Sequence, residues 1–134
     1  MTVKSAYLEG EIRDGERVDI ASFESGKLIQ DCVILNSTAY LAKEKDSEST
    51  ESVWNGNATE IGLGKYLASC GVDVEAATTE RDGKNIEKTF TTPFNSERKR
   101  ATSVIKIGDK YRVFVKGAPE KVIEYCVNMV GGKG

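Results

Sequence analysis

Histidine is missing from the 134 residues, cysteine occurs three times, and no apolar run approaches the ~20 residues of a membrane-crossing helix. Each shortage removes a class of function. Without histidine there is no Ser-His-Asp or Cys-His nucleophile system, no usual general base near neutral pH and almost no route to a zinc site. Carboxylates and lysines remain as the ionisable groups of any site, so neither a catalytic residue nor a metal ligand is expected. Cys32, Cys70 and Cys126 are odd in number, widely spaced and free of any C-x-x-C pair, which argues against a disulfide framework or a metal knuckle. All three lie in apolar helical contexts, and buried free thiols are the expectation. Charge of one sign is also lacking: 19 Lys+Arg against 21 Asp+Glu leave a net charge of -2. No overall field draws in DNA or an anionic membrane, and any basic site must be local.

This length closes one core, and residues 1–134 are read as a single domain. Asn36-Ser37-Thr38 and Asn57-Ala58-Thr59 match the glycosylation triplet only formally, because no secretory signal follows Met1. Cytosolic exposure is expected.

Along the chain, Val3 to Leu8 predicts a strand, and Gly10, Asp14 and Gly15 predict turn or loop over Glu9 to Arg17. Leu28, Ile29, Cys32, Val33 and Leu35 recur at helical spacing from Gly26 to about Asn36. Tyr40 and Leu41 open an extended segment. Residues 43–53 begin with a charged, serine-rich run that cannot repay its ordering entropy and read as a mobile loop. Phosphorylation of Ser47 or Ser49 is a regulatory alternative to a plain solvated loop. Asn57 caps a second helix with Glu60 at its third position, Gly71 ends it, and Ile61, Leu67, Ala68 and Cys70 form its buried stripe. A shorter helix spans Val74 to Arg81. The period then changes to two: Ile86 to Thr92, Thr102 to Ile107 and Tyr111 to Lys116 predict three strands, the last two joined at Gly108-Asp109. Pro119 starts a last helix whose apolar face runs through Val122, Ile123, Cys126, Val127 and Val130. The fold class that results is α/β in the broad sense, of the α+β kind, with an antiparallel twisted sheet flanked by helices.

Three stretches carry possible chemistry, and none is a P-loop: around Gly64-Lys65, Thr59 replaces the first glycine and Tyr66 the final Ser or Thr. In Pro93 to Arg100 an aromatic precedes three consecutive cations. Phe94 there is either a stacking platform for a nucleobase beside phosphate-neutralising charge, or a core residue next to a solvated edge. In Val115 to Glu120 a lysine ends a strand and a glycine turns the chain into a helix. Alternation puts Arg112, Phe114 and Lys116 on one face, so Lys116 lies at the mouth of that face, and Gly117 allows a ligand ring close to the backbone. A plain strand-to-helix turn explains the same residues. In Asn57 to Glu60 a capping box is sufficient, although a carboxylate there equally accepts from an exocyclic amine.

In order, Gly56-Asn57-Ala58-Thr59-Glu60, Phe94-Asn95-Ser96-Glu97-Arg98-Lys99 and Lys116-Gly117-Ala118-Pro119-Glu120 resemble the nucleotide-binding domain of P-type ATPases. The likeness runs through the whole chain, and the last block is the most specific. Phe-Asn-Ser-x-Arg-Lys, with Ser96 where reticulum-type calcium pumps usually carry arginine, looks more like the plasma-membrane-type calcium ATPases. Met1-Thr2-Val3 is similar to the residues just after the phosphorylation motif, which would make Met1 internal. The family's domain usually continues past the position of Gly134, so a C-terminal truncation is expected.

The resemblance implies that Phe94 stacks on adenine, that Lys116 and Gly117 line the pocket floor, and that Glu60 reads the adenine amine with Thr59 beside it. Lys99 would lie toward the phosphates with Arg98 nearby. ATP and ADP are the implied ligands, with Mg2+ in the parent pump, at micromolar-to-millimolar affinity of about -4 to -8 kcal/mol. The implied partners are the phosphorylation and actuator domains of the same parent chain; nucleic acid and direct membrane contact are not implied. The setting is a cytosolic domain of an integral membrane protein, a cation and by likeness a calcium pump. Its phosphorylated aspartate, magnesium-binding acids and membrane helices are not in this sequence, so the chain would present ATP without turning it over. The rival readings are a pump for another cation, a single-stranded nucleic-acid binder using Phe94 and Arg98-Lys99-Arg100, and a non-binding interaction module.

Overall fold

The computed structural model describes residues 1–14, 18–44, 48, 51–83, 86 and 88–131. Strands β1 (Ser5–Leu8) and β2 (Glu11–Asp14) pair antiparallel across Glu9-Gly10, both with positive φ (52 and 89). Two such residues match the twist of a tight hairpin, so the chain folds straight back as a strand where turn signals alone predict a loop. The Glu9 carboxylate, at the hairpin tip, accepts from Ser25 N (2.6 Å) and Ser25 Oγ (2.7 Å) at the start of α1 (Gly26–Leu35). That helix stops at Asn36, as its periodicity predicts. Asn36 is buried: its Nδ2 donates to Ala101 O and Phe114 O, both at 3.2 Å, and Ser103 Oγ donates to its Oδ1 at 3.0 Å. Its amide therefore bolts the helix end to the main sheet.

Strands β3 (Tyr40–Lys43) and β4 (Ser52–Asn55) form a second hairpin. Lys43, Ser52 and Val53, read as part of a loop over 43–53, thus belong to strands, while Ser47 and Ser49 lie outside the described residues. Helix α2 (Ala58–Ser69) is capped by Asn57, whose Oδ1 accepts from Glu60 N at 2.9 Å. Its buried face holds Gly62, Gly64, Tyr66 and Leu67, and Ala68 is exposed, contrary to the predicted stripe. Gly64 explains the rotation. The Trp54 ring of β4 lies so close that a Cβ at position 64 would be 2.4 Å from it, so a small residue is what lets hairpin and helix pack. Helix α3 (Val74–Asp82) follows, capped by Asp73, whose Oδ1 accepts from Ala76 N at 3.0 Å.

The main sheet comprises β5 (Lys88–Asn95), β6 (Arg100–Ile107) and β7 (Lys110–Gly117) in chain order, all antiparallel. Ile105 and Phe114 of its inner face pack with Ile20, Ile34, Leu35, Leu67 and Val74 to make the core. β5 runs on through Pro93 to Asn95, past the predicted strand end at Thr92. The last predicted helix is the largest departure. Only one turn forms, α4 (Pro119–Val122), followed by a 3-10 turn at Ile123–Tyr125. Ile123 and Val127 are 70% and 90% exposed, and an apolar stripe with nothing to pack against does not hold a β-branched segment helical. Cys126 is consequently exposed rather than buried, whereas Cys32 and Cys70 are half-buried; all three are free thiols.

Candidate functional site

The site begins with an irregularity in β5. Thr92 pairs with Thr102 and Asn95 with Arg100, so three steps along β5 match two along β6. Strict alternation would carry Phe94 opposite Arg100, on the outer face with Phe90. The extra residue instead brings Phe94 to the side of Ala101, whose partner across β7 is Lys116. Pro93, which has no N–H to lose, suits this position. Phe94 is 61% exposed, which rules out the core reading of its ring.

Lys116 does not project freely. Its Nζ donates to Glu60 Oε1 at 2.6 Å, with the lysine and glutamate side chains 20% and 11% exposed. Glu60 Oε2 accepts from Thr38 N (3.0 Å), Thr38 Oγ1 (3.1 Å) and Ala39 N (3.2 Å). Burial works against the charge, but the hydrogen bonds from Lys116 and Thr38 and the lysine charge outweigh it and hold the carboxyl at about 2. The carboxylate therefore does not turn back on Asn57, and only half of the expected capping box forms. Cys32 on α1 feels the same lysine: burial pushes its thiol up, and the Lys116 charge opposes that.

The turn between β5 and β6 is built by Asn95, whose Oδ1 accepts from Glu97 N (2.9 Å) and Arg98 N (3.1 Å). Lys99 adopts a positive φ of 52 there, and its carbonyl accepts from Ala118 N at 2.9 Å. A Cβ on Gly117 would lie 2.3 Å from that carbonyl oxygen. The glycine at 117 is thus required by the neighbouring turn, a role apart from ligand approach. Arg98 donates to Pro93 O at 3.1 Å, and Lys99 Nζ stands 4.0 Å from the Glu120 carboxylate, half-exposed.

Phe94, Lys116, Gly117, Thr59 and Glu60 line one cleft of about 1230 Å³. Arg98 and Lys99 do not line it; they stand on the turn that follows Phe94. Pro119, Val122, Ile123 and Cys126 add an apolar wall, with Tyr7 of β1 and Leu63 of α2 completing the lining. Sequence reading missed Thr38 and Ala39, which hold Glu60 through their backbone amides and, at Thr38, the hydroxyl as well, from 22 and 21 positions away, and Tyr7, which reaches the cleft from the far end of the chain. Among the described residues no group of three or more His, Cys, Asp or Glu is placed to hold a metal ion.

The structure is thus a mixed α+β domain with an exposed aromatic and a lysine–glutamate pair around an open, largely apolar cleft. The family description that matches is the P-type ATPase cytoplasmic domain N, over residues 24–134, and the chain belongs to that family. It is 34% identical over 112 residues to plasma membrane calcium-transporting ATPase 4 of Bos taurus, covering 80% of this chain and 9% of that protein. To plasma membrane calcium-transporting ATPase 4 of Homo sapiens it is 31% identical over 140 residues, 100% of this chain and 11% of that protein. Calcium-transporting ATPase 2 of Cryptococcus neoformans is 29% identical over 121 residues, 87% of this chain and 8% of that protein. The chain spans about a tenth of the length of these curated relatives. Among its described residues no helix is long and apolar enough to cross a membrane.

Proposed function

We propose that the cleft binds ATP and ADP through the adenine base, and that the chain is the nucleotide-holding domain of a cation-transporting, by likeness calcium-transporting, P-type ATPase. The observation that carries this reading is the exposed Phe94 ring on the same sheet face and in the same cleft as the Glu60–Lys116 pair. An exposed aromatic stacks any base. Selection of adenine falls to the pair. Glu60 Oε2 already has three donors, whereas Oε1 has one, so Oε1 keeps a lone pair for the exocyclic amine. Lys116 keeps two N–H donors for ring nitrogens. Thr59 and Gly117 line the floor beside them, and the apolar wall of Pro119 and Val122 covers the second face of the base.

Lys99 and Arg98, on the turn after Phe94, are assigned to the phosphates. In the parent pump this domain would carry the γ-phosphate to an aspartate of the phosphorylation domain, with the actuator domain as its other neighbour, on the cytosolic side of the membrane. Mg2+ belongs to that reaction. The described residues offer it no cluster of ligands, and the grip on the base needs no metal.

An NMR titration with ADP tests the reading. Shifts should concentrate at Thr59, Phe94, Lys116 and Gly117, with saturation in the micromolar-to-millimolar range. A blank titration would mean an interaction module, and tighter, steeply salt-dependent binding of an oligonucleotide would mean a nucleic-acid binder.

A further inference from the structure

Arg81 is a buried cation that belongs to none of the motifs of the cleft. It lies in the last turn of α3 with its side chain 2% exposed, and its Nη1 donates to three carbonyls: Ile34 O (3.1 Å), Ser37 O (3.2 Å) and Ala39 O (2.9 Å). Its Nε and Nη2 form a fork on the Asp82 carboxylate, both at 2.8 Å, which compensates the buried charge. The three carbonyls belong to the end of α1 and to the segment 37–39, whose amides hold Glu60.

Peptide planarity turns this coincidence into a linkage. The Ser37–Thr38 bond is trans, as are all peptide bonds among the described residues, so the Ser37 carbonyl and the Thr38 N–H point in opposite directions from one rigid plane. Arg81 holds the carbonyl side, and Glu60 Oε2 receives the N–H side at 3.0 Å. Ala39 is held from both sides too, but across two peptides: its N–H, in the Thr38–Ala39 plane, donates to Glu60, and its carbonyl, in the Ala39–Tyr40 plane, accepts from Arg81. Glu60 in turn fixes Lys116 through Oε1.

We propose that Arg81 is a positioning residue of the nucleotide cleft, setting the Glu60–Lys116 pair through the Ser37–Thr38 peptide without touching the ligand itself. For its effect on affinity this rests on the nucleotide reading above; its effect on Glu60 does not. Arg81→Met removes the donors and keeps most of the volume, whereas Arg81→Lys keeps a cation with three donors for the three carbonyls.

The test is a carbon-13 NMR titration of the Glu60 carboxyl without nucleotide, paired with ADP affinity, in wild type, Arg81→Met, Arg81→Lys, Glu60→Gln and the Arg81→Met/Glu60→Gln double variant. Arg81→Met should raise the Glu60 titration from about 2 toward the ordinary 4.5, and weaken ADP about three- to tenfold. Arg81→Lys should restore most of both. In the Glu60→Gln background Arg81→Met should add little, because the two residues act in series. If Arg81→Met does not fold, Arg81→Gln, which keeps two N–H donors, is measured in its place and should give the same signs at smaller size. A folded variant whose Glu60 titration stays at about 2, or losses that multiply in the double variant, overturns the proposal. If wild type binds no ADP, the nucleotide reading fails, and the Glu60 titration alone still decides whether Arg81 sets the pair.

Discussion

Phe94 and Lys116 share one face of the main sheet because β5 holds one residue more than β6 between Thr92 and Asn95. A register change of one residue moves a side chain across the sheet. Here it joins an aromatic ring to the lysine that Glu60 holds, and it leaves that ring 61% exposed at the rim of the cleft.

That exposure separates binding from stability. Phe94→Ala should lower nucleotide affinity by about 1 to 3 kcal/mol, the range of base–aromatic stacking, while thermal melts without ligand stay close to wild type. A loss of about 3 to 5 kcal/mol in fold stability would place the ring in the core and contradict the account.

The two lysines should behave differently. Lys116→Ala strands the mostly buried Glu60 carboxylate and removes the floor of the cleft, so ATP, ADP and adenosine should weaken alike. Lys99 is half-exposed on the turn, and Lys99→Ala should cost ATP on the order of 1 kcal/mol more than adenosine. Added salt should shrink that difference. Equal losses for ATP and adenosine on Lys99→Ala would remove the lysine from the phosphates.

Glu60 gives the fold a pH dependence with a definite sign. Its folded pKa, about 2, lies below the ordinary 4.5, so the stability it contributes is fully present above 4.5 and disappears as pH falls toward 2. Chemical denaturation between pH 6 and about 2.5 should show this decline in wild type and a shallower one in Glu60→Gln. Parallel pH profiles for the two would show that the pair is not formed in solution.

Gly117→Ala tests the join between the Asn95 turn and the end of β7. The new methyl would meet the Lys99 carbonyl, so roughly 1 to 3 kcal/mol of stability should be lost, with weaker ADP binding as Lys116 is displaced. Unchanged melting and affinity would show that the turn yields without consequence.

The legible parts of the fold were those where local chemistry and packing agree. Helix α1 has its apolar spacing and its terminal Asn36, α2 and α3 have Asn57 and Asp73 as caps, and the β6–β7 hairpin has Gly108 at its turn. Alternation also put Phe114 and Lys116 on one face correctly. The site was legible as residue types but not as connections. Nothing local tells that Pro93 and Phe94 occupy a bulge, that Glu60 turns from its own cap toward Lys116, or that Arg81 lies behind the segment holding it. Each depends on residues more than 20 positions away or on a register set by another strand. The predicted helix after Pro119 failed for the opposite reason: its periodicity is sound, but Ile123 and Val127 meet no core.

The central claim, that this cleft grips nucleotide by its base, is tested most directly by comparing the affinities of ATP, ADP and adenosine with and without Mg2+. The account predicts similar affinities for ATP and ADP, a modest loss for adenosine, and no strict requirement for the metal, with shifts at Phe94 and Lys116 in every case. A large preference for the Mg2+ complex of ATP, with adenosine failing to bind, would contradict it and move the site to the phosphates.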